Sequence, residues 1–219
     1  MEFFIAWLVF ASVQLAATMS PGPAFAMQMR NIVKYGRRGG IYTAIGLGAG
    51  VGAHVAFVLC GLAAIMAKSV TAFALIKYVG AAYLIYIGIK ALKAKPDTTQ
   101  IPNAQALTNY ENISAFKAFQ IGLWTNVLNP KAVVFFTAIF TQFIAPNSSS
   151  STLVLYGLTS VAIEILWFSS LAIILTVPVV RHTFRRLQHW IERICGGLLL
   201  ALGVRLALSK YIKDQAKSA

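Results

Sequence analysis

Six apolar runs, 3–32, 40–67, 72–92, 116–143, 152–180 and 191–208, take up most of this 219-residue chain. About 20 apolar residues suffice for a helix to cross the hydrocarbon core of a bilayer. There the backbone must satisfy its own hydrogen bonds, which a helix does within a single segment. The expected fold is an all-α membrane protein of about six transmembrane helices. Charged residues make up 11% of the chain, against about 25% in a soluble domain, and six spans leave no length for a separate soluble unit. Residues 1–219 therefore read as one transmembrane domain. Glu2 and the lack of basic residues before the first run argue against a cleaved signal peptide.

Two runs are broken from within. Ser20-Pro21-Gly22-Pro23 interrupts the first, where two prolines remove N–H donors and a glycine frees the backbone. Asn126-Val127-Leu128-Asn129-Pro130 interrupts the fourth in the same way. An internal echo accompanies the matched breaks. Residues 81–90 of the third run, AAYLIYIGIK, and 196–205 of the sixth, GGLLLALGVR, place small pairs, a glycine and a basic end at equal offsets. Three spans per repeat would make the halves, about 1–92 and 116–210, inverted relative to each other in the membrane. The polar stretch 93–115, with Pro96 and Pro102, reads as the loop between them.

The net charge of +13 is carried in short blocks. Arg30, Lys34, Arg37 and Arg38 follow the first run; Lys90, Lys93, Lys95 and Lys117 flank the central loop; Arg181, Arg185, Arg186 and Arg193 lie between the last two runs. Basic loops face the cytoplasm and suit its anionic leaflet. Six spans then put Lys210, Lys213 and Lys217 outside, against that rule, and inverted halves would account for Arg205 lying there too. A first run turning back at 20–23 as a re-entrant hairpin would instead leave the N-terminus inside. No nucleic-acid motif accompanies the basic charge, so no nucleic acid is expected as a partner.

Breaks in corresponding helices are where transporters bind charged solutes, through freed N–H and C=O groups near the midplane. The substrate-binding candidates are Gln14, Thr18, Ser20, Pro21, Gly22, Pro23, Asn126, Asn129, Pro130 and Lys131. Gln14 and Thr18 are four apart and share a helix face. The side-chain amides can donate and accept. Lys131, a cation inside an apolar run, needs a partner; helix-terminal carbonyls and a substrate carboxylate are equally suitable. Glu164 is the acidic residue placed near the middle of a run and is the first candidate to carry a coupling proton. His54, on a Gly46/Gly50/His54 stripe of close helix contact, is the second, since histidine titrates near neutrality.

Met19-Ser20-Pro21-Gly22-Pro23, Gly36-Arg37-Arg38-Gly39-Gly40, the Gly46/Gly50/His54 stripe, residues 80–88 and Asn126-Val127-Leu128-Asn129-Pro130-Lys131 together resemble the LysE/RhtB family of amino-acid exporters. The motifs occur in the family's order over nearly the whole chain. The resemblance implies a multi-pass protein of the bacterial inner membrane that exports amino acids or close derivatives, driven by the proton gradient. One departure is Ala24, where the family often has Asp or Asn.

A membrane enzyme is disfavoured, because Glu164 and His54 stand alone in the spans with no nucleophile–base pair or metal cluster. No cofactor and no bound metal are expected. A divalent metal-ion exporter is the nearer alternative, but Cys60 and His54 are six apart on one helix and point to different faces. Both cysteines, Cys60 and Cys195, read as small buried hydrophobes. The expected partners are a small-molecule substrate and the lipid bilayer, with a second copy of the chain as a candidate homodimer.

Overall fold

The computed structural model describes residues 1–94, 110–144, 148–175 and 178–208. Among them are seven helices: α1 (Glu2–Met19), α2 (Pro23–Lys68), α3 (Val70–Leu92), α4 (Ala115–Val127), α5 (Pro130–Phe143), α6 (Ser150–Ile174) and α7 (Pro178–Leu208). Four stretches are long and apolar enough to cross a membrane: Glu2–Met19, Pro23–Gly61, Thr71–Leu92 and Ser150–Ile174. The count is five if α4 and α5, bent by 62° to each other, form one span. The apolar part of α7 is not among them, since Glu192, Arg193 and Arg205 fall within 18 residues. The fold is thus all-helical, with four or five spans meeting the compositional test rather than six.

Both sequence breaks end helices. Prolines at 23 and 130 start α2 and α5, where a missing N–H costs nothing. Asn129 caps α5 through its side-chain oxygen, which accepts from the Lys131 N–H at 3.1 Å. At the first break the chain does not turn back. Phe3, Trp7 and Phe10 meet Tyr156 and Thr159, Thr18 donates to Glu164 and Gln28 to the Phe168 carbonyl, so the partners advance along α6 as the chain runs from 3 to 28. The first broken run therefore continues in one direction, and the re-entrant hairpin is not what forms.

The expected loop around 33–39 is instead a sharp fold within α2 at Gly36, whose φ of 67° and ψ of −164° are tolerated essentially by glycine alone. The Tyr110 ring lies 3.1 Å from where a Cβ would stand. The arms on either side pack together: Gln28 donates to the Gly40 carbonyl at 3.1 Å and Asn31 to Thr43 Oγ1 at 2.9 Å. In a straight helix residues twelve apart are about 18 Å distant. The same end of the molecule holds the Lys34–Glu111 ion pair at 3.1 Å and Arg193, which donates to the Ala94 carbonyl. A second difference lies at α7. The basic stretch 181–190, expected as a loop, is already helical, and α6 ends at Ile174 rather than near residue 180. The central loop falls largely outside the described residues, as do Lys210, Lys213 and Lys217.

Small residues set the helix contacts. A Cβ on Gly46 would strike the Phe119 carbonyl, and one on Gly122 the Thr43 carbonyl, so α2 and α4 touch backbone to backbone. Between α3 and α7 the contacts are reciprocal. A Cβ on Gly88 would meet Gly196 O and Leu200 N at 2.9 and 2.7 Å, and one on Gly203 would meet Ala81 O and Ile85 N at 3.0 and 2.9 Å. The two segments of the sequence echo therefore pack on each other antiparallel. Large apolar side chains such as Phe57, Phe116, Leu128 and Leu166 face outward, while Gln14, Asn126, Ser160 and Glu164 are buried. Apolar outside and polar inside suits a lipid surround.

Candidate functional site

The two breaks meet. Lys131, in the first turn of α5, sends its ammonium to the carbonyls of Ser20, Ala17 and Pro21 at 3.0, 3.3 and 3.4 Å. These carbonyls lie where α1 ends; that of Ala17 also accepts from the Ser20 N–H at 3.3 Å. The negative end of α1 therefore holds the cation. Gly22 leaves room for it, since a Cβ there would lie 3.3 Å from Lys131 Cδ.

On the other side of this junction Glu164 reaches in from α6. Its Oε2 accepts from the Thr18 hydroxyl at 2.9 Å and its Oε1 from Asn126 Nδ2 at 3.2 Å. The same Asn126 amide donates to the Leu47 carbonyl at 2.7 Å, possible because Gly46, Gly50 and Gly122 bring α2 and α4 so close. His54 Nε2 bonds the Asn126 carbonyl at 2.8 Å and its ring stacks on Phe136. Gln14 Nε2 donates to Thr18 Oγ1 at 3.4 Å, while its Oε1, buried, has no hydrogen-bond partner. Among the described residues Lys131 and Glu164 are not within ion-pair distance of each other.

Gln14, Thr18, Ser20, Gly22, Asn126, Asn129, Lys131 and Glu164 line one small cavity, whose apolar wall includes Phe25, Phe135, Phe136 and Phe168. Its free volume is about 40 Å³, room for two or three waters and less than an amino acid fills. Pro21 and Pro23 line instead a larger vestibule of about 470 Å³, which shares Ser20, Gly22 and Lys131 with the cavity and widens toward Lys90, Ala94 and Glu192. Pro130 lines neither, and acts by starting α5. His54 is outside the cavity too and faces an apolar groove with Phe57 and Val133; its link to Glu164 runs through Asn126. Trp167 packs beside Phe25 and Phe168 rather than on the cavity.

Residues 15–210 match the model of the LysE type translocator family. The chain belongs to that family. Relatives of this translocator match end to end. An uncharacterized membrane protein of Bacillus subtilis, YrhP, is 32% identical over 91% of this chain and 98% of its own. The threonine efflux protein of Escherichia coli K12 is 29% identical over 93% and 98%. A homoserine/homoserine lactone efflux protein of Salmonella typhimurium is 26% identical over 94% and 97%. No solved structure matches the translocator.

Sequence reasoning passed over three features of the site. Glu192 is buried, 6% exposed, and lines the vestibule; it falls at the start of the run 191–208, away from the middle where an acidic residue draws notice. The phenylalanines that line the cavity look in the sequence like any others. The orphan oxygen of Gln14 left no sequence signal.

Proposed function

We propose that this translocator is a secondary active exporter of amino acids or close derivatives, with threonine and homoserine, named for its relatives, as the first substrates to test. One observation carries the reading. A buried carboxylate, Glu164, and a lysine that has only backbone carbonyls as partners, Lys131, flank one cavity where two helix breaks meet. A zwitterion presents a carboxylate that competes with those carbonyls for Lys131. Its ammonium group suits Glu164 and the unpartnered Gln14 oxygen. Thr18, Asn126 and Asn129 complete the binding set, and Ser20–Pro23 and Pro130 shape it.

In this reading the halves are inverted repeats in a bacterial inner membrane, with the basic end, which holds Lys34 and Glu111, in the cytoplasm. The antiparallel, reciprocal contacts of Gly88 and Gly203 support the repeat, as does the ordered run of α1 along α6. The vestibule then opens inward and the inner cavity is too small to hold the solute, one stage of alternating access. Glu164 carries the coupling proton, and His54 tunes it through Asn126. Metal export gains no support: among the described residues no three His, Cys, Asp or Glu side chains come together.

The test is efflux of labelled threonine and homoserine from preloaded cells with and without the protein. Faster efflux of either amino acid, abolished by collapsing the proton gradient, is the expected result. Unchanged rates across a panel of amino acids and their derivatives would refute export, and efflux indifferent to the gradient would refute proton coupling.

A further inference from the structure

A lipid-facing groove has at its floor a histidine with one ring nitrogen still to be paired. His54, Phe57 and Gly61 of α2, Ile76 of α3, and Val133 and Thr137 of α5 line it. Its volume is about 370 Å³, within the range of small-molecule pockets, roughly 300–1,000 Å³. It shares no lining residue with the inner cavity or the vestibule. Phe57 and Val133 are exposed at its rim, so its mouth opens to the bilayer. The space exists because residue 61 is glycine: a Cβ there would meet nothing within 4 Å.

His54 is 5% exposed, and its Nε2 lies 2.8 Å from the Asn126 carbonyl. A carbonyl only accepts, so Nε2 carries the proton, and Nδ1 of the neutral ring presents a lone pair. Among the described residues nothing donates to that nitrogen. Thr137 spends its own hydroxyl proton on the Val133 carbonyl at 2.8 Å. Lipid tails suit the apolar wall but carry no donor, and an unpaired buried acceptor is costly. Water has donors, but a wall with only two polar side chains holds it poorly. A molecule with an alkyl body and a hydroxyl meets both needs.

We propose that this groove binds a lipophilic alcohol taken up from the bilayer, its chain along Phe57, Gly61 and Val133 and its hydroxyl donating to His54 Nδ1. Such a ligand sits close to the transport machinery, because only His54 and Asn126 stand between its hydroxyl and Glu164. It arrives through the membrane and not through the vestibule. Its test reads binding rather than transport, so the site stands or falls apart from the export reading.

The experiment uses the full-length protein in proteoliposomes and a dodecanol probe that carries a photoreactive diazirine on its chain. Cross-links are mapped by mass spectrometry, with dodecanol and its methyl ether as competitors. Saturable labelling is expected on the α2 and α5 residues of the groove. Dodecanol should displace the probe roughly five-fold better than the ether, as for one neutral hydrogen bond. His54→Phe keeps a ring but no acceptor, so labelling should persist while alcohol and ether compete equally. Gly61→Leu fills the groove from open space and should abolish the labelling with abundance and melting temperature near wild type, which keeps the test decisive if His54→Phe assembles poorly. Equal competition by alcohol and ether in the wild type would mean that any alkyl chain is accepted and would overturn the proposal. Labelling spread evenly over the lipid-facing helices, or unchanged in Gly61→Leu, would overturn it as well.

Discussion

Glu164→Gln changes one charge and almost no volume at the meeting point of the two breaks. The wild-type carboxylate accepts from Thr18 at 2.9 Å and from Asn126 at 3.2 Å. A glutamine oxygen can keep one of these, and its NH2 must face the other. Facing Thr18, it donates to the hydroxyl, which then needs a new acceptor for its own proton. Gln14 provides one: its amide already lies 3.4 Å from Thr18 Oγ1, and turning it over presents the oxygen that now has no partner. Two hydrogen bonds to a charged group, about 1.5–3 kcal/mol each, become neutral ones of about 1 kcal/mol. Against that loss, the desolvation of a buried carboxylate, several kcal/mol, is removed. The terms oppose each other, so stability should stay within about 2 kcal/mol of wild type and membrane abundance should be near normal. Transport should split. Exchange of labelled for unlabelled threonine across proteoliposomes should persist, while accumulation against a gradient, driven by an imposed pH difference, should vanish. Uphill accumulation at the wild-type rate would refute the assignment of the proton to Glu164. Loss of the protein from the membrane would mean that the carboxylate is structural.

Asn129→Ala removes the cap on α5 and should cost about 1 kcal/mol, with efflux falling far more than abundance; efflux that merely tracks abundance would assign Asn129 to folding alone. Lys131→Met takes the ammonium from the carbonyls of Ser20 and Pro21, while Ala17 keeps the Ser20 N–H, at about 1–3 kcal/mol for each acceptor that water cannot reach, so the melting temperature should fall and efflux should stop. Normal efflux by this variant would remove Lys131 from the substrate path. Gly122→Ala would set a Cβ against the Thr43 carbonyl and 2.9 Å from Leu47 N, an overpacking of about 1–3 kcal/mol that pushes Asn126 away from Leu47. Gly197→Ala, which has open space, is the silent control, and equal activity of the two would discount the close α2–α4 contact. In a protein with Cys60 and Cys195 replaced, Lys34→Cys should resist impermeant thiol reagents in intact cells and Ser149→Cys should react. Thr99, outside the described residues, should behave like Lys34, and the opposite labelling would invert the orientation.

The breaks were legible because proline and glycine act locally: nothing beyond their own neighbours is needed to end a helix at Met19 or Val127. The glycine stripe and the isolated Glu164 were legible for a related reason, since small and ionisable residues have few uses in an apolar run. What could not be read depends on distant partners. Lys131 suited a carbonyl or a carboxylate equally, and only the approach of α1 supplies the three carbonyls. His54 and Glu164 sit at matching depth, yet the histidine is one residue removed, behind Asn126. The basic start of α7 reads as a loop because positive charge marks the segments between spans, although arginine is a good helix former. The fold at Gly36 needs a φ that glycine permits but does not announce.

In the proposed inverted-repeat reading, the contacts that pair Gly88 with 196 and 200, and Gly203 with 81 and 85, join two halves of like outline. If each half can take the shape the other has here, this one arrangement also describes its opposite. The vestibule wall at Tyr83, Tyr86, Ile87 and Lys90 maps, at the offset of 115 set by the echo, onto Leu198, Ala201, Leu202 and Arg205. Those four residues should line the outward mouth once the inward one shuts. The departing solute would then pass two tyrosines on one side and none on the other, with a guanidinium in place of an ammonium at the rim. Arrival and departure would differ in chemistry even though the backbone treats them alike.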